Sequence, residues 1–199
     1  MLREDFIYFI PAILIAFYQY KIKWGSLKSA DESQTEISGE YDILEKFKLN
    51  YLALTAVFIF LLQLVFKFLP ITQNFQLDIL LKVFGYLFIG VGLYVSLKAL
   101  IDLGANWEGM VDYKIKKGQV LIQTGIYKYI RHPIYFAAFI EIIGFELVAN
   151  SWLWLIFFIL IFWIIYKHII KEEKLLDLKF KDEFLKYKAK TKMFIPFIF

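Results

Sequence analysis

The chain contains no cysteine, which excludes disulfides, thiolate-ligated metals and thiol catalysis, and leaves the redox compartment unreadable. Its two histidines, His132 and His168, are too few for a histidine-rich metal cluster, so no metal site is expected. Charge is sparse for a soluble protein of 199 residues: 21% of residues are charged, whereas 60% are apolar and 20% aromatic. The mean hydropathy of +0.58 points to a single membrane domain. A net charge of +4 does not indicate a nucleic-acid partner, because the lysines fall in loops beside apolar runs and no basic helix is interleaved with stacking aromatics.

Arg3, Glu4 and Asp5 precede an apolar run, Phe6 to Tyr20, that lacks a small-residue cleavage site and reads as a retained helix rather than a signal peptide. Pro11 interrupts it, and its length barely spans a bilayer. A polar stretch from Gln19 to Asn50 reads as an exposed loop, with a short helix near Tyr41–Phe47. Tyr51 to Leu69 is a full span closed by Pro70, and a short turn leads into Leu77 to Leu103. Gly85, Gly90 and Gly92 in that run would let a neighbouring helix approach closely. After a polar loop, Pro133 to Ala149 and Trp152 to Ile170 are joined only by Asn150-Ser151 and must form an antiparallel hairpin. Lys171 to Lys192 carries apolar residues at a spacing that suits an amphipathic helix on the membrane, onto which the apolar tail from Met193 packs back.

Five spans place the 21–50 loop, the 104–132 loop and the C-terminal tail on one face, together with most of the 23 lysines and arginines. By the positive-inside rule that face is cytoplasmic, with the N-terminus outside. The expected fold is therefore an all-α integral membrane protein: five transmembrane helices, a C-terminal hairpin and a cytoplasmic amphipathic helix. Residues 1–102 form the three N-terminal membrane helices, and 103–199 the region that carries chemistry.

Chemistry concentrates in Gly125-Ile-Tyr-Lys-Tyr-Ile-Arg-His-Pro-Ile-Tyr135. Proline fixes its own φ and disfavours helix in the residue before it, so a helix begins at Pro133 with His132 at its cap and Arg131 just outside. The unpaired N–H groups and positive dipole end of a first helical turn attract anions. His132 and His168 are equidistant from Asn150 along the chain, so folding the hairpin brings both histidines level with Glu172-Glu173. Ionisable groups at membrane depth are functional candidates. The plainer reading is a surface salt bridge between Arg131 and Glu172, and Glu141 and Glu146 read as interior polar contacts.

At these residues the chain resembles the isoprenylcysteine carboxyl methyltransferase family. The resemblance rests on Leu103-Gly-Ala-Asn-Trp107, Gly125-Ile-Tyr127, Arg131-His-Pro-Ile-Tyr135, the pair Glu172-Glu173, Phe180 to Phe184, Tyr187 and Pro196. It covers just under half the chain. It implies S-adenosylmethionine as cofactor, with contacts at Gln119, Val120, Leu121, Ile122, Tyr127, His132, Pro133, Ile134, Tyr135 and Glu172. It further implies catalytic roles for Arg131, His168 and Glu173, and a lipidic, isoprenylcysteine-like substrate that becomes a methyl ester. Two departures stand out: His168 replaces an arginine that orients the substrate carboxylate, and Lys181 replaces a glycine. Two alternatives stay open, namely an amine or phospholipid N-methyltransferase, with Glu173 or His168 as base, and a non-catalytic membrane protein. Neither the oligomeric state nor the natural acceptor is legible.

Overall fold

A computed structural model describes residues 35–38, 69–106 and 114–194, with single positions between 55 and 66. The expected first span, the helix near residues 41–47 and the end of the tail, including Pro196, lie outside the described residues. In chain order the elements are β1 (Thr35–Ser38), α1 (Phe75–Leu103), β2 (Lys114–Lys116), α2 (Pro133–Ala149), α3 (Leu153–Phe180) and α4 (Asp182–Lys190). Single 3-10 turns lie at Gly104–Asn106 and Gly125–Lys128.

α1 starts where the Asn74 side-chain oxygen accepts from the N–H groups of Gln76 and Leu77, at 2.9 and 3.1 Å. Among the described residues it is the one helix whose length and composition suit a membrane crossing. Its exposure is the reverse of a soluble helix. Asp78, Lys82, Gly85, Ile89, Gly92, Ser96 and Ala99 are buried, in alternating steps of four and three residues that form one stripe. Phe84, Leu87, Val91, Tyr94 and Ile101 point outward and are exposed. Small and polar groups inward and large apolar groups outward is the pattern that lipid as solvent selects.

That stripe seats α2, which runs antiparallel to α1. A Cβ on Gly85 would lie 2.7 Å from the Gly144 carbonyl oxygen, and one on Gly144 would lie 2.7 Å from the Gly85 oxygen, so the two backbones touch. Seven residues on, Gly92 meets Ala137 and Glu141. Gly90, expected to share this role, faces open space. Glu146 is indeed an interior polar contact: Gln63 Nε2 donates to it at 2.9 Å and to Ser151 Oγ at 3.3 Å.

The α2–α3 connection turns on Asn150, which takes the left-handed conformation at φ 50°. Its side chain also accepts from the Thr72 N–H and donates to the Thr72 carbonyl, tying the Pro70–Thr72 turn to the hairpin end. α2 and α3 meet through rings rather than backbone. Phe139 lies 5.3 Å from Phe158 and 5.7 Å from both Phe162 and Phe194, centroid to centroid.

Three expectations about the C-terminal half need correction. The segment after Ile170 is not a separate surface helix: α3 runs on without a break to Phe180, and only α4 is distinct. The apolar face of α4 is turned to protein, not lipid, with Phe184 and Tyr187 buried and the Tyr187 hydroxyl donating to the Tyr127 carbonyl at 2.7 Å. The start of the tail does not fold onto α4. Phe194 instead inserts between α2 and α3, in a core with Tyr135, Phe139 and Ile169. The fold is helical as expected, with one addition: β1 and β2 pair as an antiparallel ribbon that joins the two polar loops.

Candidate functional site

Pro133 opens α2 at its first position with His132 as cap residue, as the X-Pro rule predicts. The capping is unusual. The N–H groups of Arg131 and His132 donate to the carbonyls of Lys192 and Met193, at 2.8 and 3.1 Å, so the segment after α4 lies along the entry to α2. The Arg131 side chain is engaged within the protein. Its Nε donates to Glu173 Oε1 at 2.8 Å and its Nη1 to the Thr191 carbonyl at 2.5 Å.

Glu173, 3% exposed, is a hub. Besides Arg131 it receives His132 Nε2 at 3.2 Å on Oε1 and Lys188 Nζ at 2.6 Å on Oε2. Burial works against its charge, but the hydrogen bonds from His132, Lys188 and Arg131 outweigh burial and hold the carboxyl at about 2. The pairing differs from the surface Arg131–Glu172 bridge considered from sequence: Arg131 engages Glu173, and both side chains are buried.

Glu172 faces the other way. Its side chain is 39% exposed, its Oε2 accepts from the Tyr135 hydroxyl at 3.2 Å, and His132 Nδ1 lies 3.8 Å from it. The Tyr135 ring stands 5.8 Å from the His132 ring and 5.8 Å, edge to face, from the His168 ring. So the two histidines and the glutamate pair do converge, though His168 lies level with Tyr135 rather than His132. The connection between Ala149 and Leu153 holds three residues, one more than the two read from sequence.

Of the remaining expected positions, residues 119–122 and Tyr127 lie in the loop before α2, and Pro133 and Ile134 in its first turn. Ile122 and Tyr127 pack with Ala99 and Ile134. Burial, followed by the charge of Glu172, pushes the Tyr127 hydroxyl well above its ordinary range. Residues 119–123 run outside helix and strand, held where Asn106 accepts from the Val120 N–H at 2.9 Å and Gln119 Nε2 reaches the Asn106 carbonyl at 3.4 Å.

Over 203 aligned positions, 98% of this chain and 81% of the relative, the sequence is 32% identical to protein-S-isoprenylcysteine O-methyltransferase of Saccharomyces cerevisiae. The chain belongs to the isoprenylcysteine carboxyl methyltransferase family. A family model described as "Phospholipid methyltransferase" matches residues 80–183, just over half the chain. The Schizosaccharomyces pombe protein of the same name is 30% identical over 56% of this chain and 48% of that one. A solved structure of the eukaryotic intramembrane Ras methyltransferase ICMT is similar with a TM-score of 0.54 at 27% identity, over 59% of this chain and 43% of that chain. This membrane methyltransferase thus spans most of the budding-yeast protein and less than half of the other two.

Within the methyltransferase, sequence reasoning missed four supports. Lys188 donates to the Glu173 hub, the Thr191 carbonyl accepts from Arg131, and Tyr187 ties α4 to Tyr127. Asp102, ion-paired with Lys98, accepts from the Ile126 N–H at 2.8 Å. Gly125 has φ 60°, and any Cβ there would run into the Asp102 carboxylate, so glycine is required twice over. The Asp102–Gly125 link carried a signal in the strict Gly-x-Tyr spacing, whereas Lys188 looked like one more lysine on a charged helix.

Proposed function

We propose that this chain transfers a methyl group from S-adenosylmethionine to the carboxylate of an isoprenylcysteine-like lipidic substrate, giving a methyl ester at the membrane. The observation that carries the reading is the meeting of Glu172 with His132, Tyr135 and, one turn deeper on α3, His168, in a chain related along nearly its whole length to a named isoprenylcysteine methyltransferase.

The donor set fits the cofactor. Glu172 offers a half-exposed carboxylate for an ammonium or ribose hydroxyls, and the rings of Tyr135, His132 and His168 offer faces suited to a sulfonium. Tyr127, Pro133, Ile134 and the 119–122 segment complete the proposed wall. When bound, S-adenosylmethionine supplies an electrophilic methyl. A carboxylate acceptor is already ionised, so the chain needs no general base. Its work is to orient the acceptor and exclude water, which supplies several kcal/mol of barrier lowering. In this reading Arg131 and Glu173 act as positioning residues, because their polar atoms are spent on each other, on Lys188 of α4 and on the Thr191 carbonyl that follows it. His168, beside Tyr135 and one turn before Glu172 on α3, would face the acceptor in the same reading.

The description of the matching family model favours one second reading, methylation of a phospholipid amine. An amine must first lose a proton. Glu173, held at about 2 with both oxygens engaged, is a poor base, so that reading would rest on His168 as the base. For the whole chain we propose one membrane domain of five spans with its N-terminus outside and the catalytic face cytoplasmic, the cofactor arriving from water and the substrate from lipid. Glu172→Ala tests the cofactor site: S-adenosylmethionine affinity by calorimetry should fall at least tenfold with thermal stability retained, and unchanged affinity removes Glu172 from the site.

A further inference from the structure

Lys188 belongs to α4, outside the hairpin that carries Glu172, His132 and His168, and it is half-exposed, yet it closes on a buried carboxylate of that hairpin. Its ammonium lies 2.6 Å from Glu173 Oε2, while Glu173 Oε1 faces His132 Nε2 at 3.2 Å. An ionised carboxylate accepts hydrogen bonds and donates none, so His132 must carry a proton on Nε2 to make this contact. In the neutral ring that commitment leaves Nδ1 bare, and Nδ1 is the nitrogen turned toward Glu172, at 3.8 Å.

From this geometry, and resting on the methyl-transfer reading above, we propose that Lys188 is a positioning residue: by completing the donor set of Glu173 it fixes the tautomer and ring orientation of His132 and so shapes the methyl-donor site from a separate helix. Three contacts hold α4 in reach. The Tyr187 hydroxyl grips the Tyr127 carbonyl, Thr191 accepts from Arg131, and Gln123 donates to Glu183 at 2.9 Å. α4 is joined to α3 only through Lys181, so the link between Lys188 and the site depends on these tethers rather than on a continuous helix. The plain alternative is a surface lysine that adds a little stability and nothing else. It predicts that removing the charge leaves His132 as it was.

The test uses full-length protein in detergent with ¹⁵N-labelled histidine. With only two histidines present, a His168→Gln sample assigns the spectrum. Lys188→Met keeps an unbranched apolar stem and removes the charge, including its 6.0 Å approach to the Phe184 ring, and Lys188→Arg restores the charge. Wild type should show Nε2 protonated and Nδ1 bare. Lys188→Met should shift the His132 ring nitrogens toward a mixed tautomer, weaken S-adenosylmethionine binding at least fivefold and lower kcat/KM by about tenfold, with Lys188→Arg within threefold of wild type. Unmoved His132 resonances in Lys188→Met, or moved resonances with unchanged donor affinity, would overturn the proposal. The nitrogen shifts are read without ligand. They therefore decide the Lys188–His132 link even if the wild-type protein transfers no methyl, a result that would count against the proposed function instead.

Discussion

At the scale of single residues, the site is built around one carboxylate that does not touch the open side. Glu173 is ordinary in sequence, one half of an acidic pair on a charged helix, but it gathers Arg131, His132 and Lys188 in a buried position. Its folded-state carboxyl sits at about 2, below the ordinary glutamate value of about 4.5, so it stabilises the fold above about pH 4.5 and that contribution fades as pH falls toward 2. Thermal unfolding in detergent should therefore drop steeply between pH 5 and pH 3, and Glu173→Gln should flatten that slope. At pH 7 the same variant leaves Arg131 buried without its counter-charge and should cost about 3 kcal/mol or more. Lys181 makes the opposite case. Its φ of 45° favours glycine, and Lys181→Gly should raise stability by about 1 kcal/mol despite the freer unfolded chain. The hairpin symmetry about Asn150 made the meeting of Arg131, His132 and the glutamates legible from sequence. Which glutamate takes which partner was not, because neighbours on a helix point about 100° apart and a slightly longer turn exchanges their roles.

At the scale of elements, two contacts of different kind place the site. α1 and α2 touch backbone to backbone at Gly85 and Gly144, whereas α2 and α3 are spaced by phenylalanine rings, with Phe194 of the following tail wedged between them. Gly85→Ala should destabilise by about 2 kcal/mol, since the added methyl meets backbone that cannot give way, while Gly90→Ala should be neutral or stabilising. Equal effects in a thermal-shift series would contradict this packing. The sequence contained the distinction, because Gly85 and Gly92 lie seven residues apart on one stripe and Gly90 lies off it. Two features were less legible: the ribbon β1–β2, which pairs segments far apart in the chain, and the burial of the α4 face. Phe184 and Tyr187 show only that α4 is amphipathic, and an apolar face reads the same whether lipid or the Gly125–Lys128 turn covers it.

At the scale of the whole molecule, the turn at Pro70–Thr72 is bonded to the hairpin turn at Asn150, and the ribbon, α4 and the entry to α2 gather at the other end. The absence of cysteine makes this polarity directly measurable. Single cysteines at Gln73 and Lys117 should react with an impermeant maleimide from opposite sides of a vesicle, Lys117 from the cytoplasmic side; labelling from one side would undo the proposed topology. Methyl-ester formation is read out by one assay. Purified protein in detergent is given methyl-labelled S-adenosylmethionine and a farnesylated cysteine analogue, and the lipid-phase product is treated with base. Release of the label as methanol is the predicted result, since only an ester yields it. Base-stable label would point to an amine acceptor, and no transfer together with no cofactor binding would contradict the account.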